Sequence, residues 1–427
     1  MTDSNPQGGT TVTDAGHARA LDLVRACRVK AGFLASPTNV ANYRRVWARD
    51  SITIGLAALM SGESDLIESM QSTLITLMEH QGPHGEIPSN VDPKKGDVSY
   101  GSTAGRVDAD LWFVIGCGEY WQATGDDAFL KRMLPAIERV RFLLGCWEFN
   151  DRGLIYVPQS GDWADEYIHN GYVLYDQLLY LQVHRTLSAM HRAGIGEPDR
   201  ALEAKTERLK HLIQANYWFT KDGEIPKDVY HRALYEHGQR AAQSSKEQFW
   251  LPFFAPYGFG YRFDAFANVL TSLLDVSDAP KRKTVDDYMQ DEVTPRELRL
   301  LPAFYPVITP QDGDWSDLQM DFSNSFKNAP YEYHNGGLWP MITGFYVADL
   351  ARRGLQDAAR EYLTGIHTAN ALPMQGAAWS FPEYVHGKRF VGQGTPHLGW
   401  SAAGALIGHY ALAGEPVFRI TAESLQE

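Results

Sequence analysis

Carboxylates set beside aromatic rings recur at four places where the hydrophobic periodicity of this sequence breaks. In SGDWADEY (160–167), Asp162, Asp165 and Glu166 surround Trp163. On a helical turn their i, i+3, i+4 spacing places the three acids on one face. Mutual repulsion then raises at least one pKa, as a general acid requires. In a solvated loop the same residues would be bland, and the spacing leaves open which acid carries the proton. In AWSFPEYVHGKRFVGQG (378–394), Glu383 lies among Trp379, Phe381 and Tyr384. A carboxylate in an aromatic cage is costly unless it is used or paired, and Lys388 or Arg389 could pair it. YRRVWARDSIT (43–53) sets Trp47, Arg49 and Asp50 ahead of an apolar helix. Together they offer a sugar a stacking face, a cation and a bidentate acceptor; the plainer reading makes Asp50 an N-cap. GRVDADLWF (105–113) opens a helix with Asp108 and Asp110, at least one of which is expected only to complement the helix dipole.

Two distant carboxylate clusters facing a pocket suit glycoside hydrolysis, in which one acid protonates the leaving oxygen and the other activates water or attacks. Competing chemistries lack their motifs: there is no G-x-S-x-G elbow, phosphate loop or dinucleotide fingerprint. The 14 histidines form no H-E-x-x-H, so neither a metal nor a cofactor is expected. Trp, Tyr and Phe make up 12% of the chain, which fits a small carbohydrate substrate whose C–H faces stack on rings. A net charge of −13 would repel a polyanion, so a nucleic-acid partner is not expected. Apolar runs such as ITIGLAALM are far too short to span a membrane. Three cysteines, Cys27, Cys117 and Cys146, have spacings that suit neither zinc nor a disulfide frame, and predict buried thiols in a reducing compartment. With no charged and apolar leader in MTDSNPQGGTTVTDAGHARA, the expected location is the cytoplasm. The aromatic surplus leaves a homo-oligomer open.

The elements that must position these residues are helices. Stripes of 3.6-residue period run through Leu66–Leu77, Val107–Trp121, Phe129–Leu144 and Leu174–Leu181, and again near 200–215, 262–275, 337–352, 356–367 and 398–412. Glycine or proline punctuates the gaps, as in SGES, ATGDD and RRGLQD. About a dozen paired helices with few strands predict an all-α (α/α)6 barrel, with the chemistry in loops at one end. An open helical solenoid is the runner-up, but no fixed-period repeat supports it. Residues 1–14, rich in Ser, Thr and Gly, are expected to be a disordered tail, and 15–427 a single catalytic domain.

Over roughly residues 43 to 412 the chain resembles the neutral/alkaline invertases of glycoside hydrolase family 100. The resemblance rests on WARDSITIGLAALMSGESDLI, GRVDADLWF with YWQATGDDAFL, GYRFDAFANVLTSLL, KNAPYEYHNGGLWP, and FPEYVHGKRFVG with GWSAAG. It implies an (α/α)6 barrel, an inverting mechanism, no metal and an α-glucosyl unit at the cleavage site. By the same resemblance the general acid falls on Asp165 and the general base on Glu383. Trp163 and Asp165, one residue apart, also look like the acid motif of amylo-α-1,6-glucosidases. Arg49, Asp50, Asp108, His334, Asn335 and Trp339 match positions expected to line the sugar pocket. Trp47, Asp162, Trp163 and Trp379 are added as substrate contacts from the clusters themselves. Two stretches depart from the family: GDWADEYIHN, and the segment between Asp275 and Lys327 with TPQDGDWSDLQMD, which is expected on the leaving-group side.

The expected activity is inverting cleavage of an α-glucosidic bond in a small sugar, sucrose first. Water must then fit between the two carboxyls, about 6.5–9.5 Å apart. Alternatives are an α-glucosidase acting on short α-glucans, or on a glucosylated compatible solute such as glucosylglycerol or glucosylglycerate. From another class, a sugar 2-epimerase on the same barrel would use His334 and His397 as its acid–base pair but leaves Asp165 and Glu383 without a role. A non-catalytic sugar-binding protein comes third.

Overall fold

The computed structural model describes residues 12–101, 104–245, 247–321 and 325–425. Numbered along the chain, its first helices are α1 (Val12–Ala26), α2 (Ala48–Ser61), α3 (Ser64–Glu79), α4 (Val107–Thr124), α5 (Asp127–Trp147), α6 (Leu174–Arg192) and α7 (Leu202–Asn216). There follow α8 (Arg232–Ser244), α9 (Ala265–Leu273), α10 (Ala279–Tyr288), α11 (Trp315–Met320), α12 (Pro340–Arg352), α13 (Gln356–Asn370) and α14 (Gly399–Leu412). Helices α2, α4, α6, α9, α12 and α14 each pack on the next, and α14 returns to α2, closing an inner ring. Around it α3 covers α2, α5 covers α4, α7 covers α6, and α13 covers α12. Helix α1 lies against both α13 and α14. This is an (α/α)6 barrel.

The two shells differ as their sequences do. Outer α3 buries one face (Leu66, Met70, Leu74, Leu77) and leaves its polar side outward. Inner α2 is buried at every position from Ala48 to Met60 except Arg49, and α14 from Gly399 to Gly408. A helix packed on all sides carries little amphipathic signal, so the stripes seen in inner helices mark only part of what they bury. Close approach makes its own demand: a Cβ on Gly404 of α14 would lie 2.5 Å from the Pro340 carbonyl oxygen of α12. Asp126, Asp264 and Asp278 cap α5, α9 and α10 through their carboxylates. The glycines of SGES and ATGDD end α2 and α4 in the left-handed conformation.

The inner helices share one orientation, secured by a belt of hydrogen bonds. Five of them open with a backbone N–H donated to the connection that leads to the next inner helix. Ala48 donates to Ser89, Val107 to Gly161, Leu174 to Pro252, Ala265 to Ala303, and Gly399 to Ala35, while Leu338, just before α12, donates to Val385. Groups that a helix end leaves unpaired are thus satisfied around one end of the ring. Antiparallel pairs of two or three residues reinforce it, such as Val46–Trp47 with Asn90–Val91 and Phe263–Asp264 with Phe304–Tyr305.

Apart from α2, expected from its apolar run, and the six-residue α11, three described helices have no counterpart among the stripes. α8 turns inward only a narrow stripe of small or single large residues, Leu234, Tyr235, Gly238 and Ala242, and α10 buries only Val285 and Asp286, so neither shows a long apolar run. The third, α1, begins at Val12. The tail expected over 1–14 lies outside the described residues as far as residue 11, and 12–14 already belong to this helix. Of the three thiols, Cys27 and Cys117 are buried as expected, but Cys146 is exposed near the end of α5.

Candidate active site

All four sequence clusters meet at the belted end of the ring, though not in the expected geometry. SGDWADEY is a turn rather than a helix, because Asp162 Oδ1 takes the Ala164 backbone N–H at 2.8 Å and fixes the chain locally. Its three acids therefore face three partners instead of sharing a face. Asp162 is buried with its Oδ2 3.0 Å from His169 Nδ1. Asp165 remains partly open and meets Arg106 Nη2 at 2.5 Å. Glu166 is buried and paired with Lys327 at 3.2 Å. Asp162 thus sits inside the protein's own ion pair, not on a surface that could hold a sugar hydroxyl. Burial of the His169 ring works against its charged form, but Asp162 and Asp264 outweigh it and raise its pKa.

Glu383 does not pair with Lys388 or Arg389. Arg389 meets Glu332 at 3.1 Å, and Lys388 lies over the Tyr331 ring. Instead Glu383 Oε1 accepts from the Tyr43 hydroxyl at 2.6 Å and Oε2 from the Thr395 backbone N–H at 2.9 Å. A Cβ on Gly394, where φ is +73°, would fall 2.5 Å from that Oε2, so this glycine leaves the carboxylate its room. Burial pushes the Glu383 pKa up; Tyr43, Thr395 and Lys327 act against the rise, and Asp165 adds to it. The two expected catalytic carboxyls therefore lie within each other's field.

Asp50 is not an N-cap. Trp47 holds that position in α2, and Asp50 one turn in is almost fully buried with neither carboxylate oxygen hydrogen-bonded. Its nearest cation, Arg49 Nε, is 3.8 Å away, beyond hydrogen-bond range. Arg49 gives Nη1 to Asp108 at 2.9 Å and lies over the Trp400 ring. Desolvation raises Asp50 to about 7, with Arg49 opposing and Glu383 adding to the shift. Asp108 is likewise raised by burial, against the pull of Arg49. Its neighbour Asp110 does more than complement a dipole, accepting the Ile87 backbone N–H at 2.7 Å.

The aromatic and amide candidates divide. Trp47 and Trp379 are partly exposed; Trp47 stacks on Tyr43, and Trp379 has a left-handed φ of +57°. Trp163 and Trp339 are completely enclosed. Trp163 stacks on Phe304 and meets Phe266, His334 and Trp339 edge-on. Trp339 lies between His334 and Tyr384 and gives its indole N–H to the Tyr333 carbonyl. Neither ring has a free face for a sugar. Asn335 spends its amide on Ile308 and Asn328 backbone groups, which fixes its loop and leaves nothing for substrate. His334 is buried in the same aromatic stack, and desolvation holds its pKa well below the ordinary value.

Several residues of the site are missing from the sequence reading. Tyr43 and Arg106 stand inside the YRRVWARDSIT and GRVDADLWF motifs, four positions before Trp47 and two before Asp108, and that nearness is their only signal. Tyr333, at a left-handed φ of +44°, lies in the field of Asp165, Glu383 and Glu166, with Lys327 over its ring at 4.9 Å. Strained backbone in a loop of this kind gathers at functional sites. Asp176, at the start of α6, is wholly buried with both oxygens unbonded, and burial lifts its pKa far above the carboxylate range.

Comparison with known proteins bears on the fold and the class of the chain. The bacterial alpha-L-rhamnosidase 6 hairpin glycosidase domain matches residues 7–251, and the alkaline and neutral invertase family matches 251–416. Alkaline/neutral invertase E, chloroplastic, of Arabidopsis thaliana is 24% identical over 96% of this chain and 74% of its own length. Neutral/alkaline invertase 3, chloroplastic, of Oryza sativa subsp. japonica is 23% identical over 86% and 67%. Among solved structures, a bacterial glucoamylase complexed with acarbose superposes with a TM-score of 0.64 at 13% identity, over 96% of this chain and 57% of that one. A GH63 mannosylglycerate hydrolase from Thermus thermophilus gives 0.63 at 14%, over 92% and 99%. Among the described residues no helix is long and apolar enough to cross a membrane. With more than half of its length matching the six-hairpin glycosidase domain and the rest resembling the alkaline and neutral invertases, the chain belongs to the six-hairpin, (α/α)6-barrel glycoside hydrolases.

Proposed function

We propose that the protein hydrolyses an α-glucosidic bond of a small sugar with inversion, sucrose being the first candidate. The feature that carries this reading is the pair Asp165 and Glu383, brought to the belted end by connections to different inner helices, with Asp165 among the charges that raise the Glu383 pKa. Asp165 donates a proton to the glycosidic oxygen as the anomeric C–O bond breaks. Glu383 takes a proton from a water that attacks the opposite face, so an α-glucoside gives β-glucose. Asp50, buried and unbonded, is offered to two sugar hydroxyls, with Arg49 beside it. Environment alone would make the enclosed Glu383 the better proton store; the choice of Asp165 as donor follows the resemblance to the invertases. Tyr43 and the Thr395 N–H favour the carboxylate form of Glu383, which suits a base.

α-Glucosyl fluoride separates the roles, because fluoride leaves without a proton. Asp165→Asn should lose sucrose turnover by about 10³-fold yet keep most activity on the fluoride, whereas Glu383→Gln should lose both. The reverse pattern would exchange the assignments. A panel of sucrose, maltose, isomaltose, glucosylglycerol and an α-L-rhamnoside, followed by NMR, tests the glycone and the stereochemistry. First appearance of the α-anomer from a glucoside would discard inversion. The leaving-group side is formed by the 309–321 segment, which Arg262 holds through Asp312 and Asp314 and Ser160 through Asp321. This segment departs from the invertases, so short α-glucans and glucosylated solutes stay as alternatives to sucrose. A cytoplasmic location accords with the free thiols.

A further inference from the structure

A cleft of about 960 Å³ opens beside the catalytic end, lined by the loop before α2, part of α3 and the turn at 92–96. Four exposed cations border it: Lys30, Arg44, Lys94 and Lys95. Among the described residues none of their side chains has an ion-pair partner. The carboxylates of the lining are already engaged. Glu79 faces Arg132 at 3.4 Å. Asp92 accepts the backbone N–H groups of Lys94 and Lys95 and faces Arg45 at 3.8 Å. The concavity is thus bordered by cations without ion-pair partners although the chain as a whole carries a net charge of −13. Like charges gathered without counterions repel one another, a cost that a bound anion removes. Asn39 and Asn42 in the same lining add neutral groups of the kind that pair with hydroxyls.

The cleft also touches the catalytic machinery. Tyr43 gives its hydroxyl to Glu383, while Asn42 and Arg44 on either side of it line the cleft. The Asn42 carbonyl accepts the Trp47 indole N–H, and Trp47 stacks on Tyr43. We infer that this cleft binds a phosphorylated sugar, its phosphate held among Lys30, Arg44, Lys94 and Lys95, and that its occupancy alters turnover through the 39–47 loop. The effect on turnover rests on Glu383 being the catalytic base; the binding does not.

Calorimetric titration of the full chain with glucose 6-phosphate, glucose and inorganic phosphate tests the binding. Glucose 6-phosphate should bind at least tenfold more tightly than either glucose or phosphate, and more weakly as NaCl is added. The R44Q/K94Q/K95Q variant, altered only at exposed side chains, should lose at least tenfold of that affinity while its basal kcat is unchanged. Affinity undiminished in the variant, or matched by glucose, overturns the site; a match by inorganic phosphate overturns the sugar's part in it. Saturating glucose 6-phosphate should change kcat or KM of the wild type at least twofold and leave the variant unmoved. Binding as described with turnover unaltered overturns the coupling.

Discussion

The two ends of the barrel differ in how completely their buried carboxyls are answered by the protein. At the far end Asp349 of α12 takes the Ser272 hydroxyl at 2.8 Å and Arg353 at 2.9 Å. Glu119 of α4 takes the Arg419 and Ile420 backbone N–H groups. Both acids are answered by the protein itself. At the belted end Asp50 and Asp176 are equally buried, and among the described residues neither carboxylate has a hydrogen-bond donor. Enclosing a carboxyl without a hydrogen-bond partner costs free energy whether it is charged or neutral. That difference singles out the end where the catalytic site is proposed.

Substitutions at the two ends sharpen this contrast. The largest effect is expected of Glu383→Gln, about a 10³-fold fall in kcat on sucrose with the thermal midpoint preserved. Next comes Asp50→Asn, which should lower kcat/KM about 10²-fold while stabilising the protein by on the order of 1–2 kcal/mol at pH 8. The sign follows from linkage. The folded pKa of Asp50 is about 7, above its unfolded value, so the folded state binds more protons and stability falls as pH rises from about 4 to about 7. Calorimetry across that window should show the fall reduced in the variant, and an unaltered pH profile would remove Asp50 from the argument. Tyr43→Phe should reduce kcat about tenfold. Because the Tyr43 hydroxyl lowers the Glu383 pKa, its loss should move the acidic limb of the rate profile to higher pH; a limb shifted downward would contradict the pairing. At the far end the mirror experiment is Asp349→Ala, which should destabilise by about 2–3 kcal/mol in urea unfolding with kcat/KM within twofold of wild type. The smallest change is expected of Trp379→Ala, a few-fold rise in KM.

The sequence carries the inner ring well, because six buried helices need long apolar runs and leave glycine at their ends. It also carries the proposed catalytic pair, since a carboxylate beside aromatic rings is unusual enough to stand out. It is less legible where one residue type serves two purposes. Trp163 and Trp339 look like stacking platforms because a tryptophan in the core and one in a sugar site have the same neighbours in sequence. Asn335 lies in the most specific motif, yet its amide is consumed by backbone; a motif can mark a loop that must hold one shape as readily as a contact. The spacing of Asp162, Asp165 and Glu166 suggested a shared face, and a single Asx hydrogen bond was enough to turn them apart. Partners such as Tyr43 and Arg106 come from distant connections, and nothing local reports which acid they will meet.

The pairing of α1 with α13 and α14 has a consequence for how the chain is made. His17 of α1 stacks on His409 of α14 at 4.0 Å, and its Nε2 is 3.3 Å from the Tyr410 hydroxyl, 393 positions along the sequence. During synthesis, at about 5–20 residues per second, this first helix leaves the ribosome tens of seconds before the surface that will cover it exists. The last link of the belt, Gly399 to Ala35, waits equally long. Ring closure is therefore a late event in the life of the nascent protein, and a chaperone that shields the apolar face of α1 (Ala20, Leu23 and Val24) should matter more to its yield than one that acts on the finished chain.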